Sequence, residues 1–253
     1  MLRQAQHEVP VTTTRSNSEA ALRRDIAACT RMLVHEGILG YSGHISARLA
    51  DRDAILIQPG ARSRAELMPD ELLVVDFDGN VLHGREHGKP PSEVFIHTEI
   101  LKVRPDVRAV AHFHPETATL FTLVDDVPFR PVKNHAARWI SGTPVHPDPS
   151  HIDTQASGAA LADTLGRHEA ALIRAHGAVV VAEDVRALFV DCVHFEENAD
   201  ALYRAAAIGR VTPLTAAEAK AFLAGFDRAE HAAKLWSFYA GRARAAGVLG
   251  EDA

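Results

Sequence analysis

The order of apolar patterns predicts an α+β layered domain built around a mainly antiparallel sheet. Three observations carry that expectation. Amphipathic stretches are interleaved with hairpin signatures instead of alternating strictly strand, helix, strand. Turn signals at Asp51-Arg52-Asp53 and Asp78-Gly79 join adjacent apolar runs. The chain of 253 residues is 47% hydrophobic and 24% charged, an ordinary globular composition long enough to bury a core without disulfides.

Each element follows from local pattern. Residues 1–15 are polar, with three consecutive threonines, and read as a loose tail; residues 16–250 are expected to form one domain. Leu22, Ile26, Cys29, Met32 and Leu33 recur at helical spacing until Gly37 and Gly40 interrupt them, which predicts a helix over 18–36. Residues 44–50, 54–59 and 72–82 alternate about their turn signals and predict hairpins. Ser92 and Glu93 open a second helix with Phe95, Ile96 and Ile100 on one face, stopped by Pro105. A strand over 107–114, a short helix over 116–124 and a proline-interrupted strand over 127–132 follow. The polar stretch 141–157 reads as a loop, followed by a helix over 157–166 and strands over 171–175 and 178–182. Asp184 caps a long helix to about 208, and a Thr215/Glu218 capping box opens the first of two closing helices, about 215–224 and 228–246.

The formal charge of −6 supplies no basic field, so neither nucleic acid nor an anionic membrane is an expected partner. Cys29 and Cys192 sit inside apolar helical patterns and read as buried free thiols, which suits a reducing cytoplasm. No apolar run approaches the ~18 residues of a membrane span, and no signal-like segment is present, so a cytoplasmic location is the expectation. The fifteen histidines are the compositional excess, concentrated between His83 and His194.

His112 and His114 close the strand that begins at Val107. Residues two apart on a strand face the same way, so both imidazoles can reach one cation while Phe113 turns to the opposite layer. A hydrogen-bonded or surface pair reads equally well from these residues alone. His176 stands at the mouth of another apolar strand, and Gly177 beside it permits close approach, so a third imidazole is available. Three neutral nitrogen donors with open positions describe a catalytic site for a divalent first-row ion. Glu93, in the first turn of its helix, reads either as a carboxylate favoured by the helix dipole or as a general acid/base beside the metal. Ser42-Gly43-His44-Ile45-Ser46 is either an anion-holding loop or a plain connection.

Taken together, GYSGHISARL (40–49), IQPG (57–60), residues 88–121 and HGAVVVAEDVRALF (176–189) resemble the class II aldolase/adducin family, over about residues 20–210. The resemblance implies a three-layer α/β/α fold with a central, largely antiparallel sheet. It implies one divalent metal ion per chain (Mn, Zn, Co or Fe) on His112, His114 and His176, with Glu93 as acid/base. It also implies a homotetramer with active sites at subunit interfaces, to which C-terminal residues of a neighbour often contribute.

The sugar-phosphate members usually carry an asparagine or threonine where this chain has His44, and two serines before the glutamate where it has Pro91 and Ser92. Both departures remove phosphate donors. The form Gly43-His44-Ile45-Ser46-Ala47-Arg48 resembles the branch of decarboxylases acting on hydroxylated aromatic dicarboxylates of the pyridine dicarboxylate and dihydroxyphthalate types, and residues 234–239 fit that branch. On that resemblance the expected function is a metal-dependent lyase acting on a small molecule, with Glu93 or His44 as proton donor. Ser42, Gly43, Ser46, Arg48, Ser92, Trp236 and Tyr239 are the candidate substrate contacts. Arg48, Arg138 and His135 are candidates to pair with the remaining carboxylate, and His151 is a candidate proton shuttle. Trp236 and Tyr239, three apart on a helix, read equally well as core packing. His35, His83, His87, His168, His194 and His231 carry no expected role. The competing readings are a sugar-phosphate aldolase or epimerase, a non-haem iron oxygenase, and a non-catalytic module like the adducin head.

Overall fold

The computed structural model describes residues 18–250; the expected tail over 1–15 lies outside them. One eight-stranded sheet runs through the chain. Its strands are β1 (His44–Arg48), β2 (Ala54–Ile57), β3 (Leu73–Asp76), β4 (Val81–His83), β5 (Ala109–Phe113), β6 (Val145–His146), β7 (Ala170–Ile173) and β8 (Gly177–Ala182). They lie in the order β4-β3-β2-β1-β5-β8-β7-β6. Every pairing is antiparallel except that of β6 with β7.

The period-two alternation along these strands sorts side chains into two cores, which makes the fold three-layered. Ile45, Ala111, Phe113 and Val180 face α1 (Glu19–His35), α5 (Val185–Ile208) and α7 (Arg228–Ala245). Ile55, Val110, Val179 and Val181 face α2 (Val94–Val103) and α4 (Gln155–Leu165). Two further helices, α3 (Glu116–Leu120) and α6 (Ala216–Ala224), complete the chain. Gly158 lets α4 press onto α2, since a methyl group there would lie 2.5 Å from the Phe95 carbonyl oxygen. Cys29 and Cys192 are buried free thiols, as expected.

Three expectations change. Residues 127–132 form no strand: Pro128 and Pro131 lack donors, and the Asn198 side-chain oxygen accepts from the Val132 and Lys133 amides in place of a neighbouring strand. The expected loop over 141–157 contains β6, whose residues pair with β7 residues 27 positions further along the chain and so leave no local signal. The helix over 116–124 stops at Leu120, and an unexpected 3₁₀ segment, Asn134–Trp139, follows the proline stretch. Among the described residues, no helix is long and apolar enough to cross a membrane.

Candidate metal centre

Four segments converge at one end of the sheet, on the α2 side. β1 begins at His44, directly across from His112 on β5. His114 follows one residue beyond β5, while Phe113 turns to the other layer and meets Phe195 edge-on. His176 hangs from the turn between β7 and β8. There Ala175 holds a left-handed φ of 53°, and its N–H donates to Thr122 Oγ1 at 2.9 Å. That conformation costs a non-glycine residue roughly 1–2 kcal/mol, which the paired strands β7 and β8 on either side sustain. Glu93 sits at the N-cap position of α2 with its side chain turned away from the helix amides, and its Oε1 accepts the Ile152 amide at 3.1 Å.

The rings of His112, His114 and His176 stand 4.9, 5.1 and 5.2 Å apart between centroids, and their nitrogen atoms fall within 4.8 Å of one another. His112 carries the chemical argument. Its Nδ1 lies 3.0 Å from the Ala178 carbonyl oxygen, which can only accept, so Nδ1 holds the proton. Nε2 therefore presents a lone pair, buried without a hydrogen-bond partner, at 3.4 Å from Glu93 Oε2. A lone pair facing a carboxylate oxygen is repulsive, and a cation between them relieves it. His176 Nε2 lies 3.6 Å from Glu93 Oε1, and Ser42 Oγ lies 3.2 Å from His114 Nδ1. These residues fit a divalent ion and could hold one through imidazole nitrogens with the carboxylate alongside.

Burial, with His112 and His176 adjacent, pulls the His114 pKa down to about 4, and burial lowers that of His176. Both rings thus keep their lone pairs at neutral pH. Burial alone would raise the Glu93 carboxyl. Against that, the His44 N–H faces the carboxylate and the Ile152 amide donates to it, and the carboxyl lies below the usual range.

A second line of contacts runs behind Glu93. His44 Nε2 faces Glu93 Oε2 at 3.8 Å, His44 Nδ1 lies 2.6 Å from His97 Nε2, and His97 Nδ1 lies 2.7 Å from Ser46 Oγ. Because an ionised carboxylate only accepts, one direction satisfies every partner. Ser46 O–H donates to His97, His97 Nε2–H donates to His44, and His44 Nε2–H points at Glu93. Desolvation pushes His44 down to about 3 and His97 well below its ordinary value, so both rings are neutral and each carries one N–H.

The candidates from sequence divide sharply. Ser42, His44, Ser92, Glu93, His114, His151 and His176 line one open cleft of about 750 Å³. The His151 ring stacks parallel to His176 at 6.0 Å. Gly43 lies beneath the cleft, its carbonyl oxygen accepting from Gln58 Nε2 and Arg64 Nε. Ser46 is buried under His97 and does not reach the cleft. Arg48 lies four residues along β1 from His44, about 13 Å at strand rise. It donates to the Leu101 carbonyl and lies over the Phe77 ring, away from the cleft. Trp236 and Tyr239 pack on Phe189 in the opposite layer. Arg138 pairs with Glu169 and Asp191, and His135 stacks on His194, also in that layer. Within this chain, then, Arg48, Arg138, His135, Trp236 and Tyr239 do not line the cleft.

Sequence reasoning missed three residues that shape the site. His97 lies four positions after Glu93, one helical turn, and that spacing was the available signal. Gln58 and Arg64 lock the Gly43 loop through its backbone carbonyl, a contact with no local signature.

The chain is 30% identical over 180 residues to a 3,4-dihydroxyphthalate decarboxylase of Arthrobacter keyseri, covering 66% of this chain and 72% of that one. It is 28% identical over 214 residues to a 5-methylthioribulose-1-phosphate/5-deoxyribulose-1-phosphate aldolase of Rhodospirillum rubrum, covering 83% and 92%. The crystal structure of an aldolase II superfamily protein from Pseudomonas syringae superposes with a TM-score of 0.78 at 21% identity, covering 93% of this chain and 96% of that chain, which shows the shared fold. Residues 24–203 match the Class II Aldolase and Adducin N-terminal domain, and with the three-layer fold and histidine cluster in place, the chain belongs to that family.

Proposed function

We propose that the chain is a divalent-metal-dependent lyase that decarboxylates a hydroxylated aromatic carboxylate or dicarboxylate, with His112, His114 and His176 as metal ligands. The observation that carries this reading is His44. Where the sugar-phosphate members are expected to place an asparagine or threonine, this chain puts an imidazole whose Nε2 faces Glu93 and whose Nδ1 is held by His97. Pro91 further removes a hydroxyl from the cleft. The likeness to 3,4-dihydroxyphthalate decarboxylase supports the same branch.

A bound divalent ion would supply Lewis acidity toward a phenolate oxygen and the carboxylate beside it. The protein's own groups handle the proton. Loss of CO₂ leaves the electron pair of the broken C–C bond on the ring carbon, and that carbon must take up one proton. Glu93, at the cleft, would take up the substrate's phenolic proton as that oxygen ionises and give it to the ring carbon, with His44 Nε2–H facing the carboxylate to orient it. Ser46 and His97 keep His44 in the donating tautomer. Ser42 and Ser92 offer hydroxyls to the substrate's polar groups. The homotetramer belongs to this proposal, and light scattering should then give four times the 27.4 kDa chain mass.

The test is CO₂ release from 3,4-dihydroxyphthalate and related hydroxylated dicarboxylates by metal-loaded protein, with elemental analysis on the same sample. CO₂ release that is lost on chelation supports the proposal. The likeness to the ribulose-phosphate aldolase favours a second reading. Cleavage of 5-deoxyribulose 1-phosphate with no CO₂ from any aromatic acid would replace the first reading with it.

A further inference from the structure

We propose that His135, His194 and Glu197 form a second divalent-cation site, in the α5/α7 layer on the opposite side of the sheet from the first. The proposal does not depend on the reaction above.

α5 places His194 and Glu197 three residues apart on one face. The 3₁₀ segment Asn134–Trp139 brings His135 against them, its ring parallel to that of His194 at 4.0 Å. The placement is built into the fold. Asn198 on α5 accepts from the Val132 and Lys133 amides, and its Nδ2 donates to the Arg130 carbonyl, so the segment leading to His135 is fastened to the helix that carries the other two ligands. The candidate ligand atoms of His135, His194 and Glu197 lie within 4.8 Å of one another, with His135 Nε2 3.5 Å from Glu197 Oε2.

Two ring nitrogens here are orphaned. His135 Nε2 is buried with no hydrogen-bond partner, and so is Nε2 of His231, whose ring lies 5.3 Å from that of His194. Buried polar atoms are almost always satisfied, and a cation is one way to satisfy these. Burial, with Lys133 and His231 adjacent, lowers the pKa of His135 to about 4; burial with His135 and His231 adjacent lowers that of His194 to about 3. Their lone pairs are accordingly free at neutral pH.

Among the nearby charges, Arg138 and Arg228 are both paired with Asp191. Lys133 Nζ lies 3.7 Å from Glu197 Oε2 and is the competitor an ion must displace. Two imidazoles and one carboxylate suit Zn²⁺ or Co²⁺ rather than Mg²⁺ or Ca²⁺, which prefer all-oxygen shells.

The experiment titrates metal-stripped protein with Zn²⁺ by calorimetry and with Co²⁺ by visible absorption, reading stoichiometry rather than activity. The unchanged protein should bind two equivalents per chain, and His112→Asn should keep one. Glu197→Gln, on a half-exposed side chain that tolerates change, and His135→Gln should each weaken the second equivalent at least tenfold with an unchanged circular dichroism spectrum. No zinc left in His112→Asn, or bound zinc that responds to neither Glu197→Gln nor His135→Gln, would overturn the proposal.

Discussion

Gly177→Ala should disable the His112/His114/His176 cluster without replacing a ligand. Gly177 starts β8 between His176 and the strand paired with β5. A methyl group there would lie 2.4 Å from the Phe113 carbonyl oxygen and 2.9 Å from His114 Cδ2. Ordinary contact begins at 3.4 Å, so β8 and the end of β5 must part by about 1 Å. The ring of His114 can swing aside, but the carbonyl belongs to the sheet and cannot. Overpacking of this kind costs up to about 3 kcal/mol, offset by the roughly 0.4–1 kcal/mol that alanine takes from the unfolded chain's entropy. The net loss is about 2 kcal/mol, which at about 2–4 °C per kcal/mol lowers the melting temperature of the metal-free protein by about 4–8 °C. Because the separation falls between His114 and His176, zinc binding at this cluster should weaken at least tenfold, and turnover by about a hundredfold. Differential scanning calorimetry and zinc titration read these two effects. Gly241→Ala is the matched control: its added methyl meets nothing within 4 Å inside α7, so it should stabilise by about 0.5–1 kcal/mol. If Gly177→Ala melts within about 1 °C of the parent and binds zinc equally well, the close-approach argument is wrong.

The remaining predictions concern charge. His112→Ala should lose the metal equivalent that supports turnover, whereas Glu93→Gln should retain it and lose turnover by about 10²-fold or more, as measured by metal analysis and CO₂ release; full stoichiometry in His112→Ala would remove that cluster from consideration. Acid should destabilise the metal-free protein. His194 is buried, with a folded pKa of about 3 against the ordinary 6.5. The unfolded chain therefore takes the proton as pH falls through 6.5 while the folded chain refuses it, and stability declines from there down to about pH 3. At pH 5 this group alone accounts for a loss of about 2 kcal/mol. Urea midpoints at pH 7.5 and 5.0 measure it, and equal midpoints would contradict the assigned burial effect. His97→Asn should leave zinc binding intact, since His97 contacts His44 and Ser46 rather than the three ligands, yet cut turnover more than tenfold by freeing the His44 tautomer. Metal titration beside kinetics tests that split, and parallel losses in both would refute it.

Periodicity made most of the fold legible. Alternation in 44–48 and 54–57, helical spacing in 19–35 and 185–208, and the Asp78-Gly79 turn each reflect local contacts that a short stretch of chain encodes by itself. The His-x-His pair was legible for the same reason, since two residues on one strand share a face whatever else happens. What failed was set by partners far along the chain. β6 exists because β7 offers it an edge, and the stretch over 127–132 fails to be a strand because the Asn198 side chain takes its amides. The His44–His97–Ser46 line joins β1 to α2 across about fifty residues, and nothing local to either segment announces it. Arg48 reads as a substrate contact by motif, yet it follows His44 and Ser46 along β1, and the strand's rise carries it to the far end of the sheet. Trp236 and Tyr239 read equally well as a substrate wall or core, and only their packing on Phe189 decides for core in this chain. By itself the sequence determined most of the element types and the His112/His114 pair, because those depend on spacing along one segment. The tertiary structure alone decided which nitrogen of His112 carries the proton, which histidine stands behind Glu93 and which arginines stay away, because each depends on atoms brought together from separate strands and helices.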